Sequence, residues 1–215
     1  MKLRHVNSAV MPQILSRKVQ LAMAAIATLL LPSLAPLRAQ TRTKTYSETR
    51  HLLSKMERSP ANGPLKKLFE TGDGRMPDLL AALDDETRIS VNAQVIIKYL
   101  ADPEGLRLLD EWYEKQKKSG KEYSTPMMEL LAEPKYLNGD DSDLSKLAMK
   151  NKTLFQAAQF NSGDVWIRVV ARNKKLRVAL LEVIDGQVFT AGWHSVIRFE
   201  NNRWRLISDN NVWVS

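Results

Sequence analysis

The sequence predicts an α+β protein: an N-terminal antiparallel helical stack, then one further helix and a four- to five-stranded antiparallel sheet. Three observations carry this reading. Apolar residues recur at helical spacing in three successive segments between Met76 and Tyr113. After Asn161-Ser162-Gly163-Asp164 the apolar period changes from about 3.6 residues to about 2. Asp185-Gly186 then sits between two apolar runs, the strongest hairpin signal in the chain. The expected organisation is a signal peptide over 1–39, a helical region over 40–120, a linker with a short helix over 121–143 and an α+β domain over 144–215.

The N-terminus is read first because it changes the meaning of the charge. Lys2, Arg4, Arg17 and Lys18 precede an uncharged stretch from Leu21 to Leu31, and no acidic residue appears before Glu48. An apolar run this short, against the ~20 residues of a spanning helix, and broken by Pro32 and Pro36, is the pattern of a cleavable signal peptide. Leu37-Arg38-Ala39 places cleavage near Ala39 and predicts a periplasmic or secreted product with no integral membrane anchor. The long basic start leaves open whether Met1 or Met11 begins the chain, and Ser16-Arg17-Lys18 faintly echoes a twin-arginine signal. There is no cysteine, which excludes a lipoprotein anchor, disulfides and thiol chemistry. The formal net charge is +8, but residues 1–39 hold five of the 32 basic side chains and none of the 24 acidic ones. The remaining near balance argues against nucleic acid as a partner.

The helices follow in order. Leu52, Leu53 and Met56 mark a short polar helix, and Ser59-Pro60-Ala61-Asn62-Gly63-Pro64 interrupts it. A helix from Leu65 to Glu70 is expected to stop at Thr71-Gly72-Asp73-Gly74, and another to run from Met76 to Leu83 with Pro77 in its first turn. Glu86 to Leu100 buries Ile89, Ala93, Ile96, Ile97 and Leu100, and a helix from Glu104 carries Leu106, Leu109, Trp112 and Tyr113 until Lys117-Lys118-Ser119-Gly120. A short helix over Met127 to Leu131 and a longer one over Leu144 to Phe160 complete the helical part. The strands are Val165 to Arg172, Leu176 to Ile184, Gln187 to Phe199, Arg203 to Ser208 and Val212 to Val214.

Two resemblances attach to these residues. Leu79-Leu80-Ala81-Ala82-Leu83-Asp84-Asp85, then Arg88, Ala93 and Leu100, then Asp102-Pro103, resemble a HEAT-like repeat over about residues 75–118. The stretch Ser195-Val196-Ile197-Arg198-Phe199-Glu200-Asn201-Asn202-Arg203-Trp204-Arg205-Leu206-Ile207 looks like the last strands of the nuclear transport factor 2-like, or cystatin-like, cone-shaped fold. The first implies a stack that presents a partner surface, and the second a sheet curved around a pocket.

Candidate chemistry is sparse. His51 reads as a solvated surface residue. His194 follows Trp193 on the longest strand, and Glu182 and Asp185 are the carboxylates near enough to assist it as a general base. Asp140, Asp141 and Asp143 fail the calcium-loop spacing and read as a helix N-terminal cluster, and Gly72-Asp73-Gly74 lacks the rest of a phosphate loop. No catalytic set, metal site or cofactor is expected. Trp166, Trp193, Trp204 and Trp213 fall within the last 50 residues and read first as core, second as a ligand-lining face. Arg168, Arg172, Lys174, Lys175 and Arg177, with Arg198, Arg203 and Arg205, form the basic part of the same region. The candidate binding residues are therefore Trp193, His194, Arg168 and Trp166. The expected function is an exported non-enzymatic binding or protein-interaction module with a protein partner in the cell envelope. The alternative is a small enzyme of the cone-shaped fold using His194 as base.

Overall fold

The computed structural model describes residues 44–57, 61–121, 123–125, 130–155, 165–185 and 191–214. The expected signal peptide lies outside these residues, as do Gly186 of the expected hairpin and the end of the Leu144–Phe160 helix. Residues from Thr45 onward belong to one compact unit.

Helix α1 covers residues 44–55, and α2 (Gly63–Ala81), α3 (Thr87–Leu100) and α4 (Pro103–Ser119) follow. Each start is chemically marked. The Asn62 side chain accepts from the Leu65 N–H ahead of α2, and Asp102 accepts from the Gly105 N–H ahead of α4, whose Pro103 needs no hydrogen-bond acceptor in the first turn. Helix α3 ends on Ala101, and α4 on Gly120, both at positive φ. Strand β1 (Leu130–Tyr136), helix α5 (Leu144–Lys150) and strands β2 (Val165–Asn173), β3 (Val178–Asp185), β4 (Ala191–Glu200) and β5 (Arg203–Val214) complete the chain. The sheet is antiparallel in the order β1-β5-β4-β3-β2. Asn201 and Asn202, both at positive φ, make the two-residue turn between β4 and β5.

The α+β class is as predicted, with corrections to several elements. Thr71-Gly72-Asp73-Gly74 does not end a helix; α2 runs through it and through Pro77. The reason is packing: a Cβ on Gly72 would lie 2.4 Å from the Leu100 Cδ1, so glycine here allows α2 to approach α3 closely rather than breaking it. Leu130 and Leu131 are strand, not helix, and the expected linker contains β1, which pairs with β5. Helix α5 stops at Lys150 because the Asn151 side chain turns back to the Leu147 and Asn138 carbonyls, and a 3₁₀ turn over Lys152–Leu154 follows. The last two expected strands are one, β5.

Both faces of the sheet are buried. One apolar cluster joins Leu53, Phe69, Ile96 and Leu100 of the helices to Val178, Leu180 and Val196 of the sheet. A second joins Leu144, Leu147 and Phe155 to Ile167, Ala179, Leu181, Trp193 and Ile197 on the opposite face. Every residue of β3 from Val178 to Val183 is therefore buried, which explains why it is apolar at each position except Glu182. The helical part and the sheet share the first of these cores rather than owning one each.

Helix α1 is tied to the α2–α3 turn by a two-point contact: Arg50 Nε and Nη2 donate to Asp85 at 2.6 and 3.1 Å, and the Tyr46 hydroxyl donates to the same carboxylate. The Arg50 hydrogen bonds hold the Asp85 carboxyl below its usual value of 3.8, helped by the Glu86 N–H and opposed by burial. A group whose folded pKa is depressed contributes stability above its unfolded pKa and loses it as pH falls through the folded one. Asp85→Asn is thus expected to lower stability at neutral pH and to flatten the acid limb below the ordinary carboxylate value of 3.8, measured by urea unfolding across pH. Gly72→Val should cost about 1–3 kcal/mol by overpacking against Leu100. Gly74→Ala, where a Cβ meets nothing within 4 Å, should instead stabilise the same helix by about 0.5–1 kcal/mol.

Candidate functional site

Strand register decides which predicted residues meet. In the β2–β3–β4 ladder Arg168 pairs with Glu182 and Glu182 with His194, so all three lie in a row on one face of the sheet. That face is the one under the helices. Arg168 Nε donates to Glu182 Oε2 at 2.5 Å, and its Nη2 contacts the same oxygen. Glu182 Oε1 accepts from the Ala61 N–H at 3.3 Å, just ahead of α2, and lies 3.9 Å from His194 Nε2. On its other side His194 Nδ1 is 2.7 Å from the Tyr99 hydroxyl of α3, with the two rings edge to face. Which of the two donates is set by the tautomer of the ring: a proton on Nε2, towards Glu182, leaves Nδ1 to accept from Tyr99.

A carboxylate, an imidazole and a phenol in sequence are the parts of an acid–base relay. Their burial sets what they do here. Glu182 and His194 are both 0% exposed and Tyr99 is 1% exposed, so no solute reaches them in this conformation. The row is a joint. It fastens α3 and the start of α2 to the sheet, and the charge of Glu182 is answered by Arg168, whose side chain stays 58% exposed.

The other predicted residues separate. Trp193 is buried on the opposite face, in the second core, while Trp166 on edge strand β2 is 66% exposed. Trp204 packs edge to face on Phe199, and the Trp213 side chain lies outside the described residues. The basic residues also divide. Arg198 is partly buried and donates to the Ala101 carbonyl at the end of α3; burial pushes its pKa down. Arg177 and Arg203 lie over the Phe199 and Tyr136 rings. Lys175 pairs with Asp73 at 3.2 Å. His51 is exposed on α1. Asp143 caps α5 and Asp141 holds Lys150, and no group of three metal-ligating side chains occurs among the described residues.

An open site lies elsewhere, between the start of α3 and the end of α4. This cleft of about 740 Å³ is lined by Asp84, Ser90, Trp112, Gln116 and Tyr123, among others. Trp112 Nε1 and Gln116 Nε2 both donate to Asp84 Oδ1, at 2.9 and 3.4 Å, which fixes the exposed carboxylate in the cleft lining. The Trp112, Tyr113 and Tyr123 rings lie 5.4–5.7 Å apart, too close to admit a cation between them, so they form one packed aromatic wall. Tyr113 donates to Gln94, and burial pushes its hydroxyl up to about 12. Sequence reasoning passed over this site because Trp112 and Tyr113 read as an apolar helix stripe and Asp84-Asp85 as a turn. The one signal was an aromatic pair beside four lysines and an acidic corner on consecutive helices.

If the buried row is a joint, its loss is felt in stability. Glu182→Ala should cost about 1–3 kcal/mol by leaving the Ala61 N–H without its acceptor, since Arg168 is exposed enough to be solvated. Tyr99→Phe, which keeps the ring, should cost about 1–3 kcal/mol, read from denaturant midpoints. No family model matches the chain, and no curated protein or solved structure does so at a significant level.

Proposed function

We propose that the protein is an exported, non-enzymatic binding module that takes a ligand or protein partner of the cell envelope in the α3–α4 cleft. The observation that carries this is a contrast in access. The Glu182–His194 pair, which has the composition of a catalytic pair, is sealed, whereas Asp84, fixed by Trp112 and Gln116, is exposed and lines an open cleft. Binding sites are concave, with a few placed polar groups against aromatic walls, and this cleft has that form. In this reading the helices act as a HEAT-like stack does, by presenting surface. Export is supported by the basic start, the short apolar run and Ala39.

The rival reading, an enzyme with His194 as general base, draws on the Tyr99–His194–Glu182 contacts and requires the helices to lift from the sheet. Crosslinking of the purified protein to an envelope extract, followed by mass spectrometry, separates the two. A defined partner captured by the wild type should be lost in Asp84→Asn and retained in a folded His194→Gln variant. Turnover of any substrate that Asp84→Asn preserves and His194→Gln abolishes would decide for the enzyme.

A further inference from the structure

The two edges of the sheet differ. At one, β1 carries Pro134, which has no N–H for a further strand, beside Glu133. At the other, β2 has no proline and packs against α2. Between β2 and α2 lies a cleft of about 630 Å³. One wall is seven consecutive residues, Val169 to Lys175; the other is Lys66, Glu70 and Asp73. Those three recur at i, i+4 and i+7 and so form a single stripe along α2. A helix stripe facing an edge strand across a groove is the arrangement in which an extended peptide adds to a sheet, its backbone completing the ladder and its alternate side chains choosing the partner.

Charge selects the peptide. Lys66 lies 3.9 Å from Glu70 and Lys175 3.2 Å from Asp73, so the carboxylates of the groove are already matched. Arg172 and Lys174 are exposed and have no acidic partner among the described residues. Resting on the reading of the chain as a binding module, we infer that the β2–α2 groove binds an extended acidic segment of a protein partner as a sixth strand, its carboxylates meeting Arg172 and Lys174. A second copy of this chain fits poorly, because its β2 would bring further basic side chains to an edge that already carries Arg172 and Lys174, and the bulge between Val169 and Ala171 twists the edge. A nucleic acid would meet the cations but leave the N–H and C=O groups of the edge unanswered.

The test uses the full protein and a synthetic peptide of about ten residues alternating glutamate and valine, the length of a strand that spans β2. Binding is followed by calorimetry, and amide hydrogen exchange is followed across Val169–Asn173. The expected result is slowed exchange in β2 and at least about tenfold weaker binding to the Arg172→Glu, Lys174→Glu double variant, with its unfolding midpoint unchanged. Failure of the peptide to bind overturns the inference. So does equal binding of the same peptide interrupted by proline, or of a short single-stranded DNA, since either shows attraction to charge alone. Asp84→Asn should leave peptide binding intact. If the peptide fails while partner capture still depends on Asp84, only this inference falls; if both fail, the binding-module reading falls with it.

Discussion

A carboxylate buried in the middle of a sheet that has no free face is the constraint on which this fold turns. Glu182 sits on β3, the most enclosed strand, and is 0% exposed. An ionised carboxylate left there alone would cost several kcal/mol, so every neighbouring element must supply something to it. Strand β2 supplies Arg168, the segment before α2 supplies the Ala61 N–H, and β4 brings His194, which is held in turn by Tyr99 of α3. The arrangement of helices over the sheet is therefore tied to one acid. Apolar packing provides the bulk of the driving force, and the polar row adds a specific pairing that a one-residue slip would break.

The same constraint governs which surfaces remain for function. With both sheet faces covered, the groups most suggestive of catalysis are enclosed between layers, and the exposed features fall at helix ends and sheet edges. The Asp84 corner lies where α2 gives way to α3, and the β2 groove lies where the sheet stops. Both positions are ones where backbone or side-chain polarity is available without disturbing the cores.

Much of this was legible from the residues. Helix periodicity located α3 and α4 to within a residue or two, and the change of period located the sheet, because each pattern reflects a single buried face or a strand alternation. The errors have particular causes. Two glycines in three positions suggested a helix stop, yet Gly72 is small because Leu100 is close, a tertiary reason invisible along the chain. Leu130 to Tyr136 contains Pro134 and Glu133 and lacks strand character, and becomes a strand only because β5 offers it an edge. At the candidate site, Arg168 and His194 were singled out individually, but their meeting through Glu182 depends on strand register, and Tyr99 on helix docking. The Asp84–Trp112 contact likewise joins residues on separate helices, and nothing in their spacing announces it.

His194 lies in a closed joint rather than an accessible reactive site, and the chemical reactivity of the two histidines, His51 and His194, tests this most directly. His51 is exposed on α1 and serves as the internal standard. Treatment of the native protein with an imidazole-acylating reagent, with each site resolved by peptide mass spectrometry, should modify His51 promptly and leave His194 untouched until the protein is unfolded in denaturant. Modification of His194 in the native protein at a rate close to that of His51 would contradict the account.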